Sequence, residues 1–317
     1  MINKIFLTGA SGFIGKNLHK ILKKKKTKVV PIGYRNSNNE LINCNLFNSK
    51  KVDKLLKGIN CIVHCAGYTN TSKFPTSLEK NKIWKLNFEA TKTLIKLATK
   101  NNVKKFIYIS SSKVILEESN KMILEDIRPN PKTEYAKSKF KSENFLMNFS
   151  KKNKIDVICL RPTLVYGNGC KGNLKNLLKL SKKNLLPEIS NIKNRISIIH
   201  VKDLSNAIIK VIFNKPKKLR IFTLSGPKDL SLVEIINLIR LHSNKKKSFF
   251  KLNLQFLYII KIIIKKINFN NYLDKIIFFI NKVLNSSFYE ARKFNKIYSW
   301  KPKIYPFEGF LEMLKDR

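Results

Sequence analysis

The sequence is poor in acidic residues and in arginine, and both shortages bear on what the chain can bind. Asp and Glu number 20 against 64 Lys and Arg, which gives a formal net charge of +44. Only eight of the basic residues are Arg, and the lysines are spread along the whole chain. Nucleic-acid-binding proteins concentrate their charge and interleave it with aromatic residues. We therefore expect no specific nucleic-acid site, only a general attraction for anionic ligands.

Paired cysteines and metal-binding clusters are also lacking. The five cysteines form no Cys-x-x-Cys pair and mostly fall in or beside apolar strand-like segments; they are Cys44, Cys61, Cys65, Cys159 and Cys170. Such thiols are typical of a cytosolic protein, and with no signal-peptide pattern at the start we expect a cytoplasmic location. No cluster of His, Cys and Asp suggests a metal, and His64 and His200 are expected to pack in the core.

No apolar run approaches the roughly 20 residues that a transmembrane helix requires. The most apolar stretch lies at 249–285, where lysines interrupt its first half and Asp274 and Lys275 interrupt its second. An amphipathic helical hairpin is the favoured interpretation of this stretch. Peripheral contact with a membrane surface through 249–285 is the alternative.

The first motif that is present opens the chain: Thr8-Gly9-Ala10-Ser11-Gly12-Phe13-Ile14-Gly15. A short apolar run before it predicts a strand, and apolar residues at helical spacing after it predict a helix. Gly9 suits the unusual backbone angles of a tight turn, Gly12 lets backbone amides approach a diphosphate, and Gly15 permits close packing of helix on strand. Because the helix N-terminus faces the anion, the run predicts a dinucleotide-binding turn.

A second motif, Tyr135 and Lys139, carries a possible proton-transfer group. Residues four apart share one face of a helix, so we expect the Lys139 ammonium to lie beneath the Tyr135 phenol. A nearby cation lowers the pKa of a tyrosine from about 10, which suits a general acid or base at a carbinol carbon. A solvated surface pair is the alternative, since this spacing is common in Lys-rich helices.

Apolar strand-like runs alternate with helical ones along the chain, which is the pattern of an α/β protein with a doubly wound parallel sheet. Beyond the first strand, strands are predicted at 29–32, 61–65, 106–110, 157–160 and 195–201. Helices are predicted at 49–56, 83–100 and 134–151.

Seven motifs, which follow one another along the chain in the family's order, resemble those of the extended short-chain dehydrogenase/reductase family, in its NAD-dependent epimerase/dehydratase branch. They are the glycine run, His64-Cys65-Ala66-Gly67, Leu86-Asn87, Ser110-Ser111, the Tyr135 and Lys139 pair, 161–169 (Arg-Pro-Thr-Leu-Val-Tyr-Gly-Asn-Gly) and Trp300-Lys301-Pro302. The resemblance implies a Rossmann-type NAD(P)-binding domain over 1–162. A smaller, mostly substrate-binding lobe is expected over 163–317, with the chain crossing back near 195–225.

The resemblance also implies roles for individual residues. Ser111, Tyr135 and Lys139 would form the catalytic set, with Ser110 and Ser112 as alternatives to Ser111. Substrate-binding residues would be Ser111, Lys113, Asn173 and Arg195. Cofactor-binding residues would be Gly9, Gly12, Phe13, Ile14, Gly15, Arg35, Asn45, Leu46, Ala66, Gly67, Tyr68, Asn87, Ser110, Tyr135, Lys139, Pro162 and Val165. For Asn87, support of the active-site helix is the alternative.

Departures from the family pattern limit which reaction and which cofactor are expected for this chain. Dehydratase members carry an Asp-Glu pair after the catalytic hydroxyl, and Ser112-Lys113 stands there instead, which argues against 4,6-dehydration. The acid that binds the ribose hydroxyls of NAD is replaced by Gly33-Tyr34-Arg35, so NADP is as open as NAD. The family's phosphate-gripping Arg aligns with Ile196. Arg195 either substitutes from the neighbouring position or points to the other face of the strand.

Within the family, the chain most resembles the subgroup labelled UDP-glucose 4-epimerase-like. That label implies a UDP-hexose or UDP-N-acetylhexosamine 4-epimerase, which oxidises C4 transiently, and a cytoplasmic enzyme that relatives suggest is a homodimer. One alternative is an NAD(P)H-dependent reductase of a UDP-4-keto-6-deoxy-hexosamine in surface-polysaccharide synthesis. Another is a non-catalytic cofactor-binding or nucleic-acid-associated protein that has kept the fold.

Overall fold

The computed structural model describes residues 2–33, 40–69, 74–189, 193–215, 218, 220–242, 251–252, 259, 262, 281 and 284–315. The predictions for Arg35 and for most of 249–285 lie outside these residues. Among the helices that are described, none has the length and apolarity needed to cross a membrane.

The elements alternate along the chain as the sequence pattern indicates. The described strands are β1 (Lys4–Thr8), β2 (Lys28–Gly33), β3 (Ile42–Asn43), β4 (Cys61–His64), β5 (Lys105–Ile109), β6 (Asp156–Pro162), β7 (Leu164–Tyr166), β8 (Glu188–Ile189), β9 (Ile196–His200), β10 (Ile221–Leu224), β11 (Asp229–Leu230) and β12 (Lys251–Leu252). The described helices are α1 (Phe13–Lys24), α2 (Ser49–Leu56), α3 (Ser77–Trp84), α4 (Ala90–Lys100), α5 (Glu134–Lys152), α6 (Asn173–Lys182), α7 (Val201–Phe213), α8 (Leu232–His242), α9 (Lys293–Tyr298) and α10 (Pro306–Lys315). A π-helical turn (Lys85–Glu89) joins α3 to α4, and a 3₁₀ turn (Ser112–Val114) follows β5.

The main sheet has seven strands in the order β10-β6-β5-β4-β1-β2-β3. All of its strand pairs are parallel. The order reverses between β1 and β4, and in sheets of this kind ligands bind outside the carboxyl ends of the strands at such a reversal. The predicted Rossmann-type α/β fold is confirmed. The chain returns to this sheet at β10, and the division into two lobes near residue 162 stays a prediction.

Helices cover both faces of the main sheet, and β1 shows why. Ile5 and Leu7 point into a core cluster that includes Leu18 and Leu22 of α1, together with residues of α7. Phe6 points to the opposite face, into a cluster with residues of α2, α4 and α5. Alternate residues of a strand face opposite sides, so a strand buried on both sides must be apolar throughout.

Side-chain caps explain two of the places where predicted elements differ from the structure at their ends. The helix predicted at 83–100 begins earlier, at Ser77, because Thr76 and Glu79 form a reciprocal capping box, and it is interrupted by the π-helical turn. The strand predicted at 195–201 ends at His200, whose side chain accepts a hydrogen bond from the Lys202 amide and caps α7. A smaller sheet forms here, in which β9 pairs with β7 and β11.

A buried ion pair fixes α5 against β6. The Arg161 guanidinium donates from Nε to Glu143 Oε1 at 2.9 Å and from Nη2 to Glu143 Oε2 at 2.6 Å. Both side chains are almost completely excluded from solvent. Because either charge would be costly to bury without the other, the pair constrains the position of the helix that carries Tyr135 and Lys139.

A buried lysine closes the end of α7. The Lys105 ammonium, on β5, donates to the carbonyl oxygens of Val211, Ile212 and Asn214 at 2.6 to 3.1 Å. These carbonyls belong to the last turn of the helix and the residue that follows it, where the backbone has no helical partners. Lys105 therefore ties α7 to the centre of the main sheet.

We expect Lys105→Met to lower the free energy of unfolding by about 2 to 3 kcal/mol, because it leaves buried carbonyls without a donor. Lys104→Met is the matched control, since the neighbouring side chain is exposed. Urea unfolding monitored by circular dichroism measures both variants. Equal stabilities of the two variants would contradict the role given to Lys105.

Candidate active site

The glycine turn between β1 and α1 is closed too tightly for side chains. Gly9 has a φ of +67°, and a Cβ there would lie 2.6 Å from the backbone nitrogen of Ala66. The Gly12 amide donates to the Gly9 carbonyl at 2.8 Å, and a Cβ on Gly15 would overlap that same carbonyl. Gly12 caps α1 without a side-chain hydrogen bond, which leaves backbone amides for a diphosphate. This turn fits a dinucleotide.

The segment that follows β4 forms the opposite wall of the crevice. The Ala66 amide donates to Thr8 Oγ1 at 3.2 Å. The Asn87 side chain holds Tyr68 at both backbone atoms, accepting from its amide at 2.8 Å and donating to its carbonyl at 3.1 Å. A Cβ on Gly67 would lie 2.8 Å from Asn87 Oδ1 and 3.4 Å from Lys139 Nζ. The wall therefore passes directly beside Lys139, and the Asn87 side chain holds it by hydrogen bonds to the backbone of Tyr68.

Ser111, Tyr135 and Lys139 are brought together at the carboxyl end of β5. Thr133 caps α5, which places Tyr135 in the first turn of the helix, where Ser111 and Thr69 lie beside its phenol. Lys139 Nζ donates to the Ile109 carbonyl at 2.8 Å. All three predicted catalytic residues are buried. This arrangement can exchange a proton with a bound hydroxyl group.

The three adjacent serines have different surroundings. Ser111 bonds with the Tyr135 phenol and accepts from the Lys113 amide at 3.3 Å. Ser112 bonds instead with the phenol of Tyr289. Ser110 Oγ is buried without a hydrogen-bond partner among the described residues. Of the three serines, Ser111 is the one whose hydroxyl lies beside the Tyr135 phenol.

Burial governs the protonation of the central groups. It raises the pKa of Tyr135 above its ordinary value, although hydrogen bonds from Ser111 and Thr69 act in the other direction. It lowers the pKa of Lys139 to about 8. The sequence predicted a lowered pKa for Tyr135. In the structure the pKa is raised instead, because the phenol is desolvated. The Lys139 ammonium lies 4.6 Å above the ring of Tyr108, where it donates a hydrogen bond to the Ile109 carbonyl.

Several residues predicted to hold the cofactor lie just beyond the carboxyl ends of β1 and β3. Phe13 and Ile14 form the first turn of α1, and both are half-buried. Asn45 is exposed, and its side-chain oxygen accepts from the Phe47 amide at 3.0 Å, while Leu46 packs against the core cluster of α2. Their contact with a cofactor stays a prediction.

Pro162 ends β6, and Val165 lies in β7, which begins two residues later. Pro162 is the last residue of β6 and is in register with Leu224 of β10. Val165 packs in part against the core cluster of α1 and α7. Their placement beside the nicotinamide also stays a prediction.

The residues predicted to bind substrate are more dispersed. Lys113 is half-buried in the 3₁₀ turn after Ser111, and burial lowers its pKa. Asn173 is exposed at the first position of α6. Arg195 donates to Asp229 Oδ2 at 2.8 Å, and its guanidinium lies 4.3 Å from the ring centroid of Phe288. Because Arg195 already has an anionic partner within the chain, it is a weaker candidate for a substrate phosphate than the sequence indicated.

Some residues of the site were missed from the sequence. Thr69 meets the Tyr135 phenol, and Thr8, Thr91 and Ser138 form hydrogen bonds beneath the crevice. His64 is buried as expected, but both of its ring nitrogens are hydrogen-bonded. The positions of Thr8 next to Gly9, and of His64 at the start of its motif, were the available signals.

A cleft of about 500 Å³ runs from the glycine turn along α1. Its basic lining comes from Lys16, Lys20, Lys24, Lys171 and Lys202, and Lys202 pairs with Glu312 at 2.5 Å. This excess of positive charge beside the α1 N-terminus favours an anionic ligand. Within the described part of the chain, no three His, Cys, Asp or Glu side chains are grouped to hold a metal ion.

A parallel sheet with a glycine turn at its reversal point, beside a buried Ser-Tyr-Lys group, is the arrangement of a dinucleotide-binding fold. The model of the NAD dependent epimerase/dehydratase family matches residues 5–224. The chain belongs to this family and is an enzyme of it, as its resemblance to the extended short-chain dehydrogenases predicted. Since the family is NAD-dependent, the prediction of a nicotinamide dinucleotide cofactor is confirmed.

Individual relatives agree with this assignment. The chain is 30% identical over 244 residues to a UDP-glucose 4-epimerase of Vibrio cholerae, covering 74% of each chain. It is 24% identical over 262 residues to an N-acetyl-alpha-D-glucosaminyl-diphospho-ditrans,octacis-undecaprenol 4-epimerase of Escherichia coli O157:H7, covering 78% of this chain and 74% of that one. The solved structure of MoeE5 in complex with UDP-glucose and NAD has a TM-score of 0.79 at 18% identity, covering 98% and 97% of the two chains. The last likeness shows the fold.

We expect Gly15→Ala to weaken NAD binding by at least about tenfold, because the added methyl group displaces the Gly9 carbonyl from the turn that faces the diphosphate. Gly58→Ala is the control, since the positive φ of Gly58 makes the substitution strain the backbone while its Cβ position meets only open space away from the turn. Calorimetric titration with NAD compares the variants. Equal affinities would mean that the turn does not bind the diphosphate.

We expect Lys139 to titrate near pH 8, whereas exposed lysines titrate near 10.4. The shift lowers the stability of the fold below pH 8, and this cost is removed as the pH rises from about 8 to 10.5, since the unfolded chain binds a proton in this window that the folded chain does not. NMR of lysine-labelled protein follows the resonance, and Lys139→Met identifies it by its loss. A pKa above 10 would contradict the burial of this ammonium.

Proposed function

We propose that the protein interconverts the C4 epimers of a UDP-hexose or a UDP-N-acetylhexosamine and uses NAD as its cofactor. The observation that carries the proposal is the buried Ser111, Tyr135 and Lys139 set beside the glycine turn. The UDP-glucose 4-epimerase of Vibrio cholerae supports the choice of substrate class, because it matches about three quarters of the chain.

The proposed roles follow from the contacts of each group. Ser111 accepts or donates a hydrogen bond at the C4 oxygen, which orients that oxygen towards Tyr135. Tyr135 removes the proton from the C4 hydroxyl and returns it after the sugar has rotated to present its opposite face. NAD supplies the acceptor and donor of the hydride. The Lys139 ammonium is charged below pH 8 and is proposed to face the cofactor beside Gly67, since its own hydrogen bond goes to the Ile109 carbonyl.

The cofactor is proposed to lie across the crevice between β1 and β4. Its diphosphate would meet the amides of Phe13 and Ile14 at the start of α1. Ala66 and Gly67 would line the ribose beside Lys139, with Pro162 and Val165 near the nicotinamide. For the sugar nucleotide we propose Lys113 and Asn173 as phosphate or sugar contacts, and Arg195 only after release of Asp229.

A reductase of a UDP-linked 4-keto sugar is the second candidate, and a sequence feature favours it. No acid follows β2 at the position that binds the ribose hydroxyls of NAD; Gly33-Tyr34-Arg35 stands there. An arginine at this position suits the 2′-phosphate of NADP. Such an enzyme would use the same Ser111 and Tyr135, but it would deliver one hydride and exchange its cofactor after each turnover.

We expect Tyr135→Phe to lower kcat for epimerisation of UDP-glucose or UDP-N-acetylglucosamine by about 10³-fold, because proton transfer is lost. NAD affinity should change by less than about threefold, since the phenol oxygen is not expected to hold the diphosphate. Tyr305→Phe, at an exposed tyrosine, is the control. Unchanged turnover in Tyr135→Phe would remove this residue from the mechanism.

The cofactor that accompanies the purified protein separates the two candidates. An epimerase returns its hydride within each turnover, so retained NAD and conversion without added cofactor would support it. A protein that binds added NADPH more tightly than NADH, and leaves both UDP sugars unchanged, would overturn epimerisation in favour of the reductase.

A further inference from the structure

A continuous chain of buried hydrogen bonds lies beneath the crevice. Thr8 Oγ1 lies 2.6 Å from Nδ1 of His64, and Nε2 of His64 lies 3.0 Å from Thr91 Oγ1. Thr91 Oγ1 donates to the Asn87 carbonyl at 2.6 Å. Each of these side chains is 0% or 1% exposed. The chain therefore links the last residue of β1 to the π-helical turn without contact with solvent.

The direction of every bond in the chain follows from the number of protons available. The single hydroxyl proton of Thr91 is committed to the Asn87 carbonyl, so Thr91 can only accept from His64. His64 Nε2 must then carry the ring proton, and Nδ1 must accept the proton of Thr8. The Thr8 oxygen accepts in turn from the Ala66 amide at 3.2 Å. A neutral ring is consistent with the burial that lowers the pKa of His64 to about 3.

The two ends of the chain reach different parts of the site. At one end, Thr8 precedes Gly9 of the glycine turn and holds the amide of Ala66, so this end belongs to the cofactor wall. At the other end, the Asn87 carbonyl also accepts from Ser142 of α5 at 2.9 Å, and the Asn87 amide donates to Ser138 at 3.0 Å. Ser138 adjoins Lys139, so this end reaches the catalytic helix, and through Tyr68 it also reaches the cofactor wall.

We propose that His64 is a positioning residue whose two ring nitrogens set two different properties of the enzyme. Through Nδ1 and Thr8 it fixes the cofactor wall at Ala66. Through Nε2 and Thr91 it fixes Asn87 and, with it, the helix that carries Tyr135 and Lys139. Histidine suits this position because its ring supplies an acceptor at one edge and a donor at the other.

Two substitutions at residue 64 separate these functions. His64→Asn places an amide oxygen near the position of Nδ1 and keeps the acceptor for Thr8, but it loses the link to Thr91. His64→Gln places an amide nitrogen near the position of Nε2 and keeps the donor for Thr91, but it loses the link to Thr8. An unsatisfied buried group is expected to change the affected property by about tenfold.

We therefore expect His64→Asn to lower kcat by about tenfold and to weaken NAD binding as well, since Asn87 also holds Tyr68 of the cofactor wall. We expect His64→Gln to lower NAD affinity by about tenfold and to keep kcat at saturating NAD within about twofold. NAD affinity is measured by titration of protein freed of cofactor. A loss of kcat in His64→Gln as large as that in His64→Asn would overturn the proposal, because His64 would then only support the fold.

A pair of threonines on α4 supplies a matched control. Thr91 and Thr99 each donate a hydroxyl proton to the carbonyl four residues earlier, but only Thr91 bonds to His64. Thr91→Val should behave like His64→Asn, whereas Thr99→Val should leave kcat and NAD affinity within about twofold. Equal effects of the two valine substitutions would contradict transmission through the chain.

The kcat measurements rest on the proposed function, but two other measurements do not. NAD affinity needs no sugar substrate. Amide hydrogen exchange over residues 134–142 reports the hold on α5 directly, and we expect faster exchange in Thr91→Val than in Thr99→Val. A wild-type protein that binds NAD and converts no nucleotide sugar would refute the proposed function. These two measurements would still decide the role of His64.

Discussion

The structure depends on the close approach of two backbone segments where the strand order of the main sheet reverses. Gly9, after β1, lies against Cys65 and Ala66, after β4, so closely that no side chain fits on Gly9. The same turn receives the start of α1, where Gly15 meets the Gly9 carbonyl. Free amides, a helix N-terminus and the wall beside Lys139 therefore converge within one crevice. A side chain at either glycine would separate them.

Burial then determines what the polar groups in this crevice can do. Among the described residues no carboxylate lies within ion-pair distance of the Lys139 ammonium, which instead donates to a backbone carbonyl and lies over an aromatic ring. Its pKa is lowered because burial desolvates the ammonium. One turn further along α5, Glu143 is equally buried but is neutralised by Arg161. The helix thus carries a fixed ion pair for position and a separate cation whose charge is available for chemistry.

The sequence predicts features that depend on local pattern and misses features that depend on long-range contacts. The α2 helix at 49–56 and the parallel strands follow from apolar periodicity, and the glycine turn follows from residue type. The pKa of Tyr135 could not be predicted from its spacing to Lys139, because burial and contacts with Ser111 and Thr69 arise only in the folded chain. The pairing of Arg195 with Asp229 joins strands that are far apart in sequence. His64 was correctly expected in the core, but its partners come from β1 and α4.

An epimerase and a reductase place the same demands on Ser111, Tyr135 and Lys139, and they differ in what they require of the cofactor site. An epimerase must hold its nicotinamide through both halves of a turnover, whereas a reductase must release it. Holding is favoured by a rigid wall, since a preorganised site loses less entropy on binding. Here the wall is fastened at Ala66 through Thr8 and at Tyr68 through Asn87, and both anchors are buried. Because Asn87 also bonds to the catalytic helix, a rigid cofactor wall and a positioned Tyr135 are parts of one hydrogen-bonded unit. This unit is the structural reason for preferring the epimerase.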